Sequence, residues 1–412
     1  MIEIFLNGAG VFVAVSALPM LVGLLLREGA VSALLRRVAI LLAVLIPVVF
    51  LALYLALPGT GHAQFDFSTN DQAARLLYGS GGNPYSIHAA YSFPFPTFYL
   101  YWLNSGFGTL SESAAWTISW FGNGAIWLVC VLVLWRTLPS IGSARGRDVR
   151  YYAAAAIPAM TTIWQGQTAL LILAGLVALH QALMEPARRL TWIAGGVGLA
   201  WATLIKPQLA LVGFGLLVYG LLLRTSKTPE NDSRLIWILG ASVAAATAMI
   251  GLTLILPGGV TLDTYRRFVS EALPQVARPD ADLIIGSPAY VAGSLVPDSV
   301  DLVANGVTIL MVALAVYWTF RRRDCPPTEI AAGWGVWAMV APRVAWTWYA
   351  AWCLPFFLLA LQSRPSRERT ILFVLALALL NWQIGILAVA FATILLLIGL
   401  LWTSFLGKPT YV

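Results

Sequence analysis

Residues 188–234 read RRLTWIAGGVGLAWATLIKPQLALVGFGLLVYGLLLRTSKTPENDSR. Two apolar runs, 190–205 and 208–223, meet at a joint of Lys206-Pro207-Gln208, and cationic clusters close the stretch at both outer ends. A straight bilayer crossing takes about 20 apolar residues. Each run is shorter than that, and backbone that breaks at membrane depth must be buried in protein or line a wet cavity. The stretch therefore predicts two helices joined on one face, with positive charge gathered on the other.

The same pattern recurs along the chain. Further apolar runs lie at 8–26, 38–57, 111–135, 152–164, 168–184, 235–256, 302–320, 328–341, 345–361, 370–380 and 384–405. Three more short runs meet their successors at polar or Pro-containing joints: Gln165-Gly166-Gln167, Pro342-Arg343 and Asn381-Trp382-Gln383. Four joints on one side predict a cavity open to that side. Of 412 residues, 59% are hydrophobic and 10% charged, which leaves a soluble domain too little polar surface to cover itself. The 17 Trp suit aromatic belts at two membrane interfaces. The net charge of +7 does not point to nucleic acid, because it sits in short clusters between apolar runs and forms no basic face. The expected fold is an all-α polytopic membrane protein, a single transmembrane domain over 1–412 with about 11–13 crossing helices.

Alternating the direction of successive runs sorts the 25 Lys and Arg into two sets. One face takes 19: Arg27, Arg36, Arg37, Arg136, Arg145, Arg147, Arg150, Arg188, Arg189, Arg224, Lys227, Arg234, Arg321, Arg322, Arg323, Arg364, Arg367, Arg369 and Lys408. The other takes the remaining 6: Arg75, Lys206, Arg266, Arg267, Arg278 and Arg343. The bias assigns the first face to the cytoplasm and predicts a multi-pass protein of the plasma membrane. Two long loops, 58–110 and 257–301, then face outward. In the first, Gln72–Tyr78 reads as a short helix with Asp71 at its N-terminus, and Thr97–Phe107 as an interfacial or re-entrant stretch. Met1-Ile2-Glu3 lacks the basic start of a signal peptide, so Gly8–Leu26 reads as a retained helix. Cys130 and Cys353 fall in apolar runs and Cys325 beside an Arg cluster, which argues against a disulfide framework.

Several residues carry two readings each. Asp66, a few residues past a helix end, is a solvated loop carboxylate or a functional one at the membrane surface. Lys206 and Arg343 are interface anchors or phosphate contacts, since charge at membrane depth is costly and usually functional. Gln165 and Gln167 line the cavity or pair backbone groups between helices. Trp346, next to other Trp and near Arg343, is a belt residue or a stacking surface for a sugar. Asp280-Ala281-Asp282 has the spacing of a metal-holding pair, but reads as a solvated loop without a nucleotide-binding fold around it. His62, His88 and His180 show no ligand spacing, so neither a metal nor a cofactor is expected.

Asp66, the small-residue helix ending at Gly79, Asn83-Pro84-Tyr85, and Phe93-Pro94-Phe95-Pro96 together resemble the start of glycosyltransferase family 87. Gly166-Gln167-Thr168 before Leu170-Leu171, Gly195 through Lys206-Pro207, and Pro342, Tyr349 and Pro355 are similar to later segments of that family. Phe95-Pro96-Thr97 stands where a Tyr-Pro-Pro form is usual, and Trp348 where a His is common near the Tyr. The resemblance spans most of 55–360. It implies a GT-C-like bundle with short interfacial helices in the first outer loop. It also implies transfer of a hexose such as mannose from a polyprenyl phosphate to a lipid or glycan acceptor.

That chemistry suits the outer face. Nucleotide sugars are absent there, so a donor has to arrive within the bilayer. Its polyprenyl phosphate is a good leaving group that needs charge stabilisation rather than a proton, whereas an acceptor hydroxyl needs a base. The resemblance thus implies Asp66 as general base of an inverting displacement, Lys206 and Arg343 on the donor phosphate, and Asn83, Tyr85, Gln165, Gln167, Trp346 and Tyr349 lining the cavity. A transporter or lipid-linked-sugar flippase is the rival from another class, since broken helices also build transporters. A non-enzymatic assembly subunit is a third.

Overall fold

The computed structural model describes residues 11–56, 112–137, 144–156, 168–185, 188–224, 230–255, 260–272, 287–296, 299–342 and 367–382, with 391–392, 394–396 and 398 beyond them. Every described element is helical. In chain order these are α1 (Ala17–Leu25), α2 (Ala30–Ala56), α3 (Glu112–Thr137), α4 (Ala144–Ala155), α5 (Ala169–Met184), α6 (Arg189–Ile205), α7 (Ala210–Arg224), α8 (Glu230–Ile255), α9 (Leu262–Arg267), α10 (Pro288–Ser294), α11 (Val300–Arg321), α12 (Pro327–Val340) and α13 (Arg367–Trp382). Four stretches are long and apolar enough to cross a bilayer: Ala30–Phe50, Thr117–Arg136, Ser233–Ile255 and Val300–Arg321. Shorter apolar helices pack beside them, including Ala169–Met184 and Arg189–Ile205. The described residues are thus all-helical, with helices of membrane-crossing length.

Helix α12 shows how the core is organised. Every residue from Glu329 to Ala341 is buried, Trp334 and Trp337 included. A helix that is apolar all round has no face to give to water, so it goes to the middle. Neighbours lie on it through glycine. A Cβ at Gly215 of α7 would overlap the Trp334 ring, and one at Gly333 would overlap the ring of Trp318 in α11. The Trp334 indole N–H is satisfied by the Thr319 hydroxyl at 2.8 Å. By contrast, α8 and α11 sit at the rim with exposed apolar side chains such as Val243, Ile309 and Leu310.

Helix α6 packs against α5 on one side and α8 on the other. The approach is backbone to backbone. A Cβ at Gly198 would run into the Gly175 carbonyl of α5, and a Cβ at Gly196 would run into the Ile238 carbonyl of α8. Small residues let helices come this close where lipid supplies no hydrophobic drive between them.

Two helices begin a full eight residues before their apolar runs. Helix α2 starts at Ala30 rather than 38, and α4 at Ala144 rather than 152, each through charged residues. The reason is one buried guanidinium. The side chain of Arg36 has no solvent exposure; it donates to Glu28 at 2.9 Å, Asp148 at 2.7 Å and the Ser32 hydroxyl at 2.5 Å. With its charge answered by two carboxylates, Arg36 stays in the packed end of α2 and draws α4 alongside. The run at 370–380 also extends, because Asn381 remains in the last turn of α13.

The polar bonds respect the two charge sets. Arg36 with Asp148, Arg367 on the Leu25 carbonyl, Arg234 on the Leu183 carbonyl, and Arg322 with Glu329 each join stretches assigned to the cation-rich face. Arg267 with Asp263, and Thr253 with Tyr265, lie in the cation-poor set.

This packing sets two expectations for stability. Replacing Gly198 by Leu forces α6 off α5 and lowers stability by about 1–3 kcal/mol or more, whereas Gly240→Leu, with nothing within 4 Å of its Cβ, stays within about 0.5 kcal/mol. Arg36→Met strands Asp148 and costs about 3–5 kcal/mol. Thermal unfolding of the detergent-solubilised protein measures all three; an unaltered midpoint for Gly198→Leu or Arg36→Met contradicts the packing described.

Candidate functional site

The joint at Lys206 is built by its own sequence. Proline disfavours helical backbone in the residue before it, and it has no N–H to offer the Thr203 carbonyl in helical register. Lys206 accordingly turns extended, with φ −135° and ψ 100°, and ends α6. Its N–H still reaches the Ala202 carbonyl at 2.9 Å. Pro207 opens a single 3-10 turn, Pro207–Leu209, and α7 restarts at Ala210. The break expected from the sequence is there. Lys206 is half-buried, as is Gln208 after it.

Two contacts gather the flanks of two other joints around this end, and a third ties the Asn381 joint to α4. First, the Trp201 indole of α6 donates to the Leu171 carbonyl at 3.1 Å. That ties the end of α6 to the first turn of α5, which comes directly after Gln165-Gly166-Gln167. Second, α7 and α12 run antiparallel: the Tyr219 hydroxyl bonds the Cys325 carbonyl at one level, and Gly215 meets Trp334 at the next. Eight residues back from Gly215 is Pro207, and eight on from Trp334 is Pro342. At about 1.5 Å per residue both lie roughly 12 Å beyond that contact, and the 3-10 turn does touch α12. Third, the Asn381 amide donates to the Ala156 carbonyl at 2.8 Å and to the Leu377 carbonyl at 2.9 Å. The end of α13 is thereby fixed to the end of α4, which leads into residues 157–167.

Of the residues expected to form the site, Lys206 is the one whose surroundings are described. Asp66, Asn83, Tyr85, Gln165, Gln167, Arg343, Trp346 and Tyr349 lie outside the described residues, as does the whole of the first outer loop, 58–110. Trp201 and Asn381 are the bonds that sequence reasoning did not anticipate. Trp201 stood inside a glycine-rich run with nothing to set it apart. Asn381 was visible as a polar residue in an apolar stretch, yet its partner is 225 residues away. Among the described residues no group of three His, Cys, Asp or Glu side chains gathers as metal ligands would. His180 is buried in α5, away from the joint.

No protein-family model, curated protein or solved structure matches the chain.

The charge count predicts that the half-buried Lys206, on the cation-poor side, is reachable from outside the cell. In sealed right-side-out vesicles, Lys206→Cys reacts with an impermeant maleimide above the wild-type background, and Arg321→Cys reacts only after the vesicles are opened. The described native thiols, Cys130 and Cys325, are buried and add little to that background. The reverse labelling order would turn the molecule over.

Proposed function

We propose that the chain is a multi-pass plasma-membrane glycosyltransferase of GT-C type with about 11–13 crossing helices. It moves a hexose from a polyprenyl phosphate to an acceptor hydroxyl on the extracytoplasmic face. One observation supports the reading: the described flanks of three broken-helix joints, at Lys206-Pro207, before α5 and after α12, meet at one end, the one where the charge count leaves few cations. Mannose is the sugar suggested by the resemblance to family 87, and a lipid or glycan is the acceptor.

The proposed step is an in-line displacement. The Asp66 carboxylate takes the proton of the acceptor hydroxyl as its oxygen attacks the anomeric carbon. The bond from that carbon to the phosphate oxygen breaks, the electron pair leaves with the polyprenyl phosphate, and the anomeric configuration inverts. Lys206 and Arg343 balance the charge on the departing phosphate, in a site where displaced water makes such pairing stronger. An extended Lys206 at the break between α6 and α7 suits this role, because its Cα is held at the joint instead of on a free loop. Asn83, Tyr85, Gln165, Gln167, Trp346 and Tyr349 would line the cavity around the sugar. No cofactor is needed for the step.

Purified protein in vesicles, given a synthetic polyprenyl phosphate with a labelled hexose and an envelope lipid extract as acceptor, is expected to form a new glycosidic bond. Asp66→Asn lowers that rate by about a hundredfold or more while the protein still inserts. Lys206→Met raises the KM for the donor. Labelled lipid that crosses sealed vesicles with its sugar–phosphate bond intact would favour the flippase, and full activity in Asp66→Asn would remove the aspartate base.

A further inference from the structure

The second outer loop begins with an element the transfer chemistry does not use. Residues Leu262–Ala272 form eleven continuous helical residues, α9 and then a π turn at Phe268–Ala272. The start is well defined: the Thr261 hydroxyl accepts from the Thr264 N–H, and the Thr264 hydroxyl accepts from the Thr261 N–H. The element is held low against α8, because the Tyr265 hydroxyl pairs with Thr253, two residues before the end of α8, at 2.6 Å.

Its side chains fall into three strips. Thr264 and Phe268, one turn apart, are buried against the protein, at 8% and 3% exposure. Asp263, Arg267 and Glu271 share a second strip, all exposed, and the first two form an ion pair at 2.7 Å. Leu262, Arg266 and Val269 take the third at i, i+4 and i+7, the spacing of one helical face. There Leu262 is 73% and Val269 58% exposed. Arg266, between them, has no carboxylate partner among the described residues. Two large aliphatic side chains in water beside an unanswered guanidinium make a poor surface for an aqueous loop. They suit the boundary of a bilayer, where the aliphatic groups enter the acyl region and an arginine reaches a lipid phosphate.

We propose that Thr261–Ala272 lies in the headgroup layer of the extracytoplasmic leaflet, with Leu262 and Val269 at the acyl boundary and Arg266 on a lipid phosphate. The occupant is the lipid surface, and continuity with α8 argues for it. Helix α8 has membrane-crossing length and exposed apolar side chains up to its last residue, Ile255, which is 83% exposed. The bond to Thr253 keeps α9 at that level, with Asp263, Arg267 and Glu271 toward water. Placed so, the element fixes the depth at which α8 sits and holds the start of the second outer loop on the membrane. The proposal rests on α8 crossing the bilayer and is independent of sugar transfer.

The test is a depth measurement on the full chain in phosphatidylcholine vesicles containing phosphatidylglycerol. A small environment-sensitive fluorophore is attached singly at Leu262→Cys, Val269→Cys, Glu271→Cys and, in the middle of α8, Val243→Cys. The labels at Leu262 and Val269 are expected to emit to the blue of the label at Glu271 and to be quenched by shallow lipid nitroxides more than by aqueous iodide. The label at Glu271 reverses that order, and the label at Val243 responds to deep nitroxides alone. Labels at Leu262 and Val269 that behave like the one at Glu271, with Val243 deep, overturn the proposal and leave the membrane reading of α8 intact. A Val243 label in water overturns both.

Discussion

The arrangement depends on how closely α6 can approach its neighbours. Gly195, Gly196 and Gly198 bring its backbone against α5 and α8, closer than any side chain at those positions would permit. In water such an approach would be helped by burying apolar surface. Beside lipid that drive is missing, and the dispersion contacts of tightly fitted backbones have to supply the attraction. The contact then positions the next segment of the chain. With α6 held on two sides and pinned by Trp192 at one end and Trp201 at the other, the break at Pro207 falls at a set height and direction. Lys206 inherits that position.

The ends of the bundle are held by a different principle. At the cation-rich end, buried or half-buried charges answer one another across the helix ends: Arg36 with Asp148, and Arg322 with Glu329. Such pairs gain little over apolar packing, but losing one partner is costly, so they select one arrangement of helix ends over others. At the opposite end the described links are mostly hydrogen bonds to backbone carbonyls, from Trp201 and Asn381. The described links at that end are thus made by neutral donors, and the proposed transfer puts phosphate recognition there rather than among the arginines at the first.

Much of the architecture could be read from the sequence because bilayer crossing imposes length and apolarity on a local stretch. The runs at 111–135, 168–184, 190–205, 235–256 and 302–320 match α3, α5, α6, α8 and α11 within a few residues at each end except the start of α8, which reaches back to Glu230. Pro207 announced its own break by backbone chemistry that needs no tertiary partner. The starts of α2 and α4 were not legible, because they depend on Arg36 and Asp148 meeting across 112 positions. The burial of Asn381 against Ala156 was hidden for the same reason. Of the proposed site, Lys206 alone rests on described geometry; Asp66 and Arg343 rest on residue type, sidedness and resemblance.

If the second loop starts flat on the membrane as proposed, it bears on how the donor of the proposed transfer would enter. A lipid-linked donor would diffuse in the leaflet plane and enter the joint end sideways, between helices, with its phosphate at headgroup depth. An element lying at that depth beside α8 defines part of the boundary such a lipid meets. In the proposed reading Arg266 would hold ordinary lipid phosphates at the rim, while Lys206, at the backbone break, would hold the one that matters for transfer. The two cations differ in their surroundings rather than in charge. Arg266 is exposed on a helix face, where a phosphate exchanges freely, and Lys206 is half-buried at an extended joint, where one would be oriented. Orientation, more than attraction, is what an in-line displacement requires.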